Sequence, residues 1–199
     1  MSTRATSERR VTLANALTAF RLVIAAPLML VCAAEGWRDA FPWILAVSFA
    51  TDAVDGTVAR LTGQATRFGA MLDSWADVVA YCAIAIGVAT LWPQLVRAEW
   101  LAFAVIVASF LVPSLVGLAR FGRFTSYHTL LVKLAVAAVA PALLVVLWSG
   151  VTWPLQVAAA IAAIAALEEI AITCVLERPR SNVRSLRAVL HAQRAARSS

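Results

Sequence analysis

The sequence predicts an all-α integral membrane protein of six transmembrane helices with both termini in the cytoplasm, and three observations lead to that reading. Of 199 residues, 62% are hydrophobic and 14% charged, with a mean hydropathy of +0.82, which leaves too few polar residues to cover a soluble domain of this size. Six apolar runs, at roughly 13–34, 41–60, 70–92, 100–119, 129–148 and 152–176, come close to the ~20 residues needed to span ~30 Å of hydrocarbon. Arginine and tryptophan segregate to opposite sets of the turns that join these runs.

The first run is too long for a signal peptide, lacks a small-residue cleavage site and carries Asn15 and Arg21 near its start, so it reads as a retained helix. Arg4, Arg9 and Arg10 precede it. Arg60 and Arg67 bracket the turn between the second and third runs, Arg120 and Arg123 lie between the fourth and fifth, and six further arginines from Arg178 to Arg197 follow the sixth. The opposite turns hold only Arg38 and Arg97, each near an acid. The positive-inside bias therefore places both termini in the cytoplasm, so the number of spans is even, as six requires. Trp37, Trp43, Trp92, Trp100, Trp148 and Trp153 gather at the three outer turns, where amphipathic rings favour the headgroup layer.

Cys32, Cys82 and Cys174 each lie inside an apolar run without C-x-x-C spacing and read as free thiols at helix interfaces. The net charge of +6 sits in membrane-flanking segments, so the expected partner is an anionic lipid surface rather than nucleic acid. Residues 1–176 make one membrane domain, with no internal repeat. Residues 177–199 form a basic cytoplasmic tail, whose run SLRAVLHAQRAAR reads either as a basic helix on the inner leaflet or as a solvated charge run, with His191 an ordinary surface residue.

The chemistry concentrates in the second and third runs. Asp52, Asp55, Gly56, Ala59 and Arg60 fall at offsets 0, 3, 4, 7 and 8, one stripe of a helix; Asp73 and Asp77, four apart, stack on the next. A short turn between Gly63 and Gly69 makes the two helices antiparallel neighbours, so two carboxylates from each can face one another. Four ionised carboxylates in a low-dielectric site repel each other and cost several kcal/mol each to desolvate, so something cationic must neutralise them. Arg60 offers one charge. The remainder suits hard divalent cations, Mg²⁺ or Mn²⁺, expected as two ions; the stretch has no His or Cys to favour zinc. At ~1.5 Å per residue from Arg60, Asp52 lies roughly 12 Å inside its helix, in the cytoplasmic part of the membrane. Gly56 and Ala59 leave a groove beside the acids, which close helix packing would explain equally well.

This stretch resembles the signature of the CDP-alcohol phosphotransferase family, D-x-x-D-G-x-x-A-R, eight residues, G-x-x-x-D-x-x-x-D, and all eight fixed positions match. The resemblance implies a six-helix core with a cytoplasmic site. It implies that Asp52, Asp55 and Asp73 chiefly bind metal, with Asp77 as general base and also a possible ligand. It further implies that CDP lies against Asp52, Gly56, Ala59 and Gly69, with Arg60 near the diphosphate. The reaction it implies is attack by an acceptor hydroxyl on a CDP-alcohol, expected to be CDP-diacylglycerol, with release of CMP; the acceptor is expected to be a polyol phosphate such as glycerol 3-phosphate or inositol phosphate. The enzyme would then be a phospholipid-synthesis transferase of a bacterial inner membrane, active site to the cytoplasm, and a homodimer.

Asn15, Thr18 and Arg21 recur every three residues and resemble a family element, N-x-L-T-x-x-R, expected to meet the donor phosphate; the bland account is a helix cap and a snorkelling arginine. Arg120, Arg123, His128 and Lys133 gather at the inner face and are the candidates for an anionic acceptor, against an ordinary positive-inside loop. Glu168 and Glu169 interrupt the sixth run and could bond across helices or at a dimer interface. The rival from another class is a cation-coupled transporter using the intramembrane acids, but the inverted repeats, broken helices and midplane carboxylates that it predicts are not evident. A non-catalytic binding or assembly module is disfavoured by the complete set of aspartates.

Overall fold

The structure, a computed structural model, describes residues 13–62, 67–122, 129–176 and Leu186, with the side chains of all of these except 13–15, 55–62 and 67–74. Among the described residues every regular element is helical, and all six apolar runs are helices. The chain divides into two compact units, Met1–Val96 and Arg97–Ser199.

The first run is continuous from Leu13 to Glu35 but not uniform: α1 (Leu13–Phe20) passes through a π-helical turn (Arg21–Ala25) into α2 (Ala26–Glu35). Ala26 donates its N–H to the carbonyl of Arg21, five residues back. Such a widened turn re-aims the side chains on either side of it and is frequent at functional sites. After it come α3 (Phe41–Thr62) and α4 (Arg67–Leu91). Both α1 and the π turn pack on α3 and on α4, and α2 lies chiefly on α4. Met29, Cys32, Phe41, Leu45, Ala76 and Ala83 are the buried centre of this unit. Small residues let the helices approach closely, and Gly87 shows how closely: a Cβ there would run into the Phe41 ring. That ring also meets Trp92 edge-on, centroids 5.7 Å apart. The six-residue α5 (Pro93–Ala98) was not anticipated by the hydropathy pattern.

In the second unit α8 (Trp153–Val175) packs on both α6 (Trp100–Phe121) and α7 (Leu130–Ser149). The sequence reason is an alanine stripe: Ala158, Ala159, Ala162, Ala165 and Ala166 are all buried, and Ala135 of α7 joins Ala162 and Ala165. Thr129, fully buried, caps α7 by accepting the Val132 N–H at 3.2 Å. Gly150, at φ 73°, ends the same helix in the left-handed region open to glycine. Gln156 of α8 donates to both carboxylate oxygens of Glu99, at 2.9 and 3.1 Å, tying the starts of α8 and α6 together.

Among the described residues four helices are long and apolar enough to cross a membrane: Ala16–Glu35, Trp100–Phe121, Leu130–Ser149 and Trp153–Val175. The described apolar parts of α3 and α4 are the shorter stretches Phe41–Val54 and Trp75–Leu91, which include Asp52 and Asp77. Val23, Ile24, Leu111, Leu115, Ile164 and Leu167 all stand half exposed or more. An apolar surface of this extent would forfeit ~25 cal/mol per Å² in water, whereas lipid accommodates it without loss.

Candidate active site on α1, α3 and α4

The site is built around a buried charge. Arg21 opens the π turn and is 2% exposed, so its guanidinium is tolerable only where acids meet it. Its Nη1 contacts Asp52 Oδ1 on α3, and its Nη2 lies 3.2 Å from Asp77 Oδ1 on α4. One planar fork thus reaches carboxylates from two helices, a geometry that Lys could not reproduce. The acids themselves remain open, with side chains 45% (Asp52) and 38% (Asp77) exposed, so their other oxygens can reach a ligand. Thr18, one turn before Arg21 on α1, is 4% exposed.

The remaining positions divide by what the structure describes. Asp55, Gly56, Ala59 and Arg60 lie within α3 and Gly69 and Asp73 within α4, so the helical spacing assumed from the sequence holds, while their side chains lie outside the described residues. The Asn15 side chain, Arg123 and His128 lie outside them as well. Among the described residues no group of three His, Cys, Asp or Glu is arranged to hold a metal ion. Only Asp52 and Asp77 of the four aspartates have described side chains, and the two carboxylates converge on one cation. Hard oxygen donors converging from two helices and open to solvent fit a hard divalent cation.

Two contacts give work to residues whose role the sequence left open. Arg120, over the Phe121 ring at 5.8 Å, donates from Nη2 to the Leu176 carbonyl at 3.4 Å and so closes the C-terminal end of α8. Glu168 accepts the Leu186 backbone N–H on Oε1 at 3.2 Å. Leu186 also packs with Phe121 and Val175 against buried Ile172 and Leu176, so the chain returns to α8 within the tail. An acid set inside an apolar run was the signal that something must meet Glu168; nothing local said what. Lys133 is exposed on α7.

The sequence model of CDP-alcohol phosphatidyltransferases matches residues 11–175, from α1 to the end of α8. The chain belongs to the CDP-alcohol phosphatidyltransferase family. It is 39% identical over 67 residues to the phosphatidylinositol phosphate synthase of Cutibacterium acnes, covering 33% of this chain and 32% of that one. It is 33% identical over 111 residues to a CDP-diacylglycerol–serine O-phosphatidyltransferase of Helicobacter pylori, covering 53% of this chain and 44% of that one. The chain thus spans less than half of the length of these relatives. No solved structure matches. The family and one relative are named as phosphatidyltransferases and the other relative as a phospholipid synthase, and none of them supports the ion-transport alternative.

Proposed function

We propose that the chain transfers a phosphatidyl group from a CDP-alcohol, CDP-diacylglycerol in the first instance, to an acceptor hydroxyl, releasing CMP. The observation that carries this reading is the convergence of Asp52 and Asp77 on the Arg21 guanidinium, which brings together the first and last acids of the eight-position signature. Asp52, Asp55 and Asp73 would hold divalent metal, with Asp77 at its edge. Metal bound there would offset charge on the diphosphate and on the departing CMP. Asp77 is partly exposed and can take the acceptor's proton as its oxygen attacks phosphorus. Gly56, Ala59 and Gly69 would let cytidine approach the backbones of α3 and α4, with Arg60 at the diphosphate.

CDP-diacylglycerol is favoured because it appears in the name of one relative, and an anionic acceptor because the other is named for a phosphate-bearing product, phosphatidylinositol phosphate. Arg120, Arg123, His128 and Lys133 are the cations offered to that acceptor. The reading includes six spans, cytoplasmic termini and site, a bacterial inner membrane and a homodimer. The six spans and the orientation are supported by the arginine and tryptophan asymmetry and by the lengths of α3 and α4, 22 and 25 residues. The test is reconstitution in lipid with CDP-diacylglycerol and Mg²⁺, following CMP release over a panel of polyols, polyol phosphates and serine. CMP release that needs both acceptor and metal is expected; none across the panel would overturn the reading. Cysteines introduced singly at positions 67 and 150 should label from the cytoplasmic and outer sides respectively, and the reverse would overturn the orientation.

A further inference from the structure

Arg21 stands where the proposed reaction needs other cations. It is buried, carries a permanent charge and touches both Asp52, a proposed metal ligand, and Asp77, the proposed base. A competing cation undoes this pairing. A divalent ion on Asp52 would sit beside the guanidinium in a partly desolvated site, and like charges so placed repel strongly.

We propose that Arg21 is the resident counter-ion of the carboxylate site and competes with divalent metal for Asp52, so that metal binding displaces the guanidinium from that carboxylate. The inference rests on the metal role given above to Asp52. Its consequence is a threshold: without donor the acids stay paired to Arg21 and hold metal weakly, whereas an anionic diphosphate offers the displaced guanidinium a new partner and strengthens metal binding in return. By linkage, metal must strengthen donor binding by the same factor. Arg21 begins the π turn, where the backbone departs from regular α-helical hydrogen bonding, as is frequent at functional sites.

The test reads Mn²⁺ binding rather than turnover, by the electron paramagnetic resonance signal of free Mn²⁺ over the full chain in lipid nanodiscs without donor. Arg21→Gln should bind Mn²⁺ more tightly than wild type, by ~5-fold or more. CDP should then tighten Mn²⁺ binding in wild type but scarcely in Arg21→Gln. Unchanged or weaker Mn²⁺ affinity in Arg21→Gln overturns the competition. Should that variant fail to fold, Arg21→Lys carries the same test: its single ammonium cannot bridge both carboxylates, so Mn²⁺ must again bind more tightly than in wild type. Asp52→Asn separates the two readings. Mn²⁺ bound equally by wild type and the Arg21 variants, and lost in Asp52→Asn, overturns only the competition, whereas no Mn²⁺ binding in any of them overturns the metal reading and this one together.

Discussion

Leu186 donates its backbone N–H to Glu168 Oε1 across 3.2 Å, and its side chain packs on Ile172 and Leu176. An acid within a membrane-spanning helix is costly to leave without partners, and here the chain following α8 supplies one. Glu168→Ala removes the acceptor, whereas Glu168→Gln keeps a carbonyl oxygen in its place. The alanine variant should be destabilised by about 1–3 kcal/mol and cut faster by protease within 177–199, with the glutamine variant close to wild type. Thermal unfolding and limited proteolysis in nanodiscs measure both, and equal behaviour of the two variants would deny Glu168 this role.

Asp77 and Asp52 share a guanidinium but are given different work. A ligand is needed before chemistry and a base only during it, so Asp52→Asn and Asp73→Asn should weaken metal binding, while Asp77→Asn retains more donor binding as turnover falls ~10²-fold or more. Single-turnover rates set beside donor binding distinguish the two. Near wild-type turnover in Asp77→Asn would remove it as the base.

Gly87 lies against the Phe41 ring with no room for a Cβ. Gly87→Ala should cost about 1–3 kcal/mol through overpacking, and Phe41→Leu in the same chain should recover part of it. Thermal unfolding of the single and double variants gives the coupling. Strict additivity would mean that the contact does not limit helix approach.

Arg120 holds the end of α8 through the Leu176 carbonyl, while Lys133 on α7 is exposed. Arg120→Ala should therefore lower stability by about 1 kcal/mol, an effect absent from Lys133→Gln. Neutralising Arg123 or Lys133 should raise the acceptor KM much more than the donor KM, with a smaller effect for an uncharged acceptor. A neutral polyol as the best acceptor, or equal rises in both KM values, would leave this cluster as a positive-inside anchor.

The helical class and the extent of each apolar run were legible because hydropathy and the 3.6-residue period are local properties. So was the helical spacing of Asp52, Asp55, Asp73 and Asp77, since α3 and α4 are helices there. Arg21 was legible as a polar residue near a helix start, but its partners were not. The bland expectation of a snorkelling side chain gave way to a guanidinium buried between two carboxylates, because α1 and the π turn pack on both α3 and α4.

What the sequence determined by itself is the membrane character of the chain, its helical runs and the identity of its acids, all properties carried within about one helix length. Only the tertiary structure decided that Arg21 joins Asp52 to Asp77, that Arg120 closes α8 at Leu176 and that Leu186 returns to Glu168. Each of these contacts joins residues from different elements. Burying a charge or a backbone donor demands a partner without naming one, and the choice among chemically equivalent partners is made by which helices come to lie side by side.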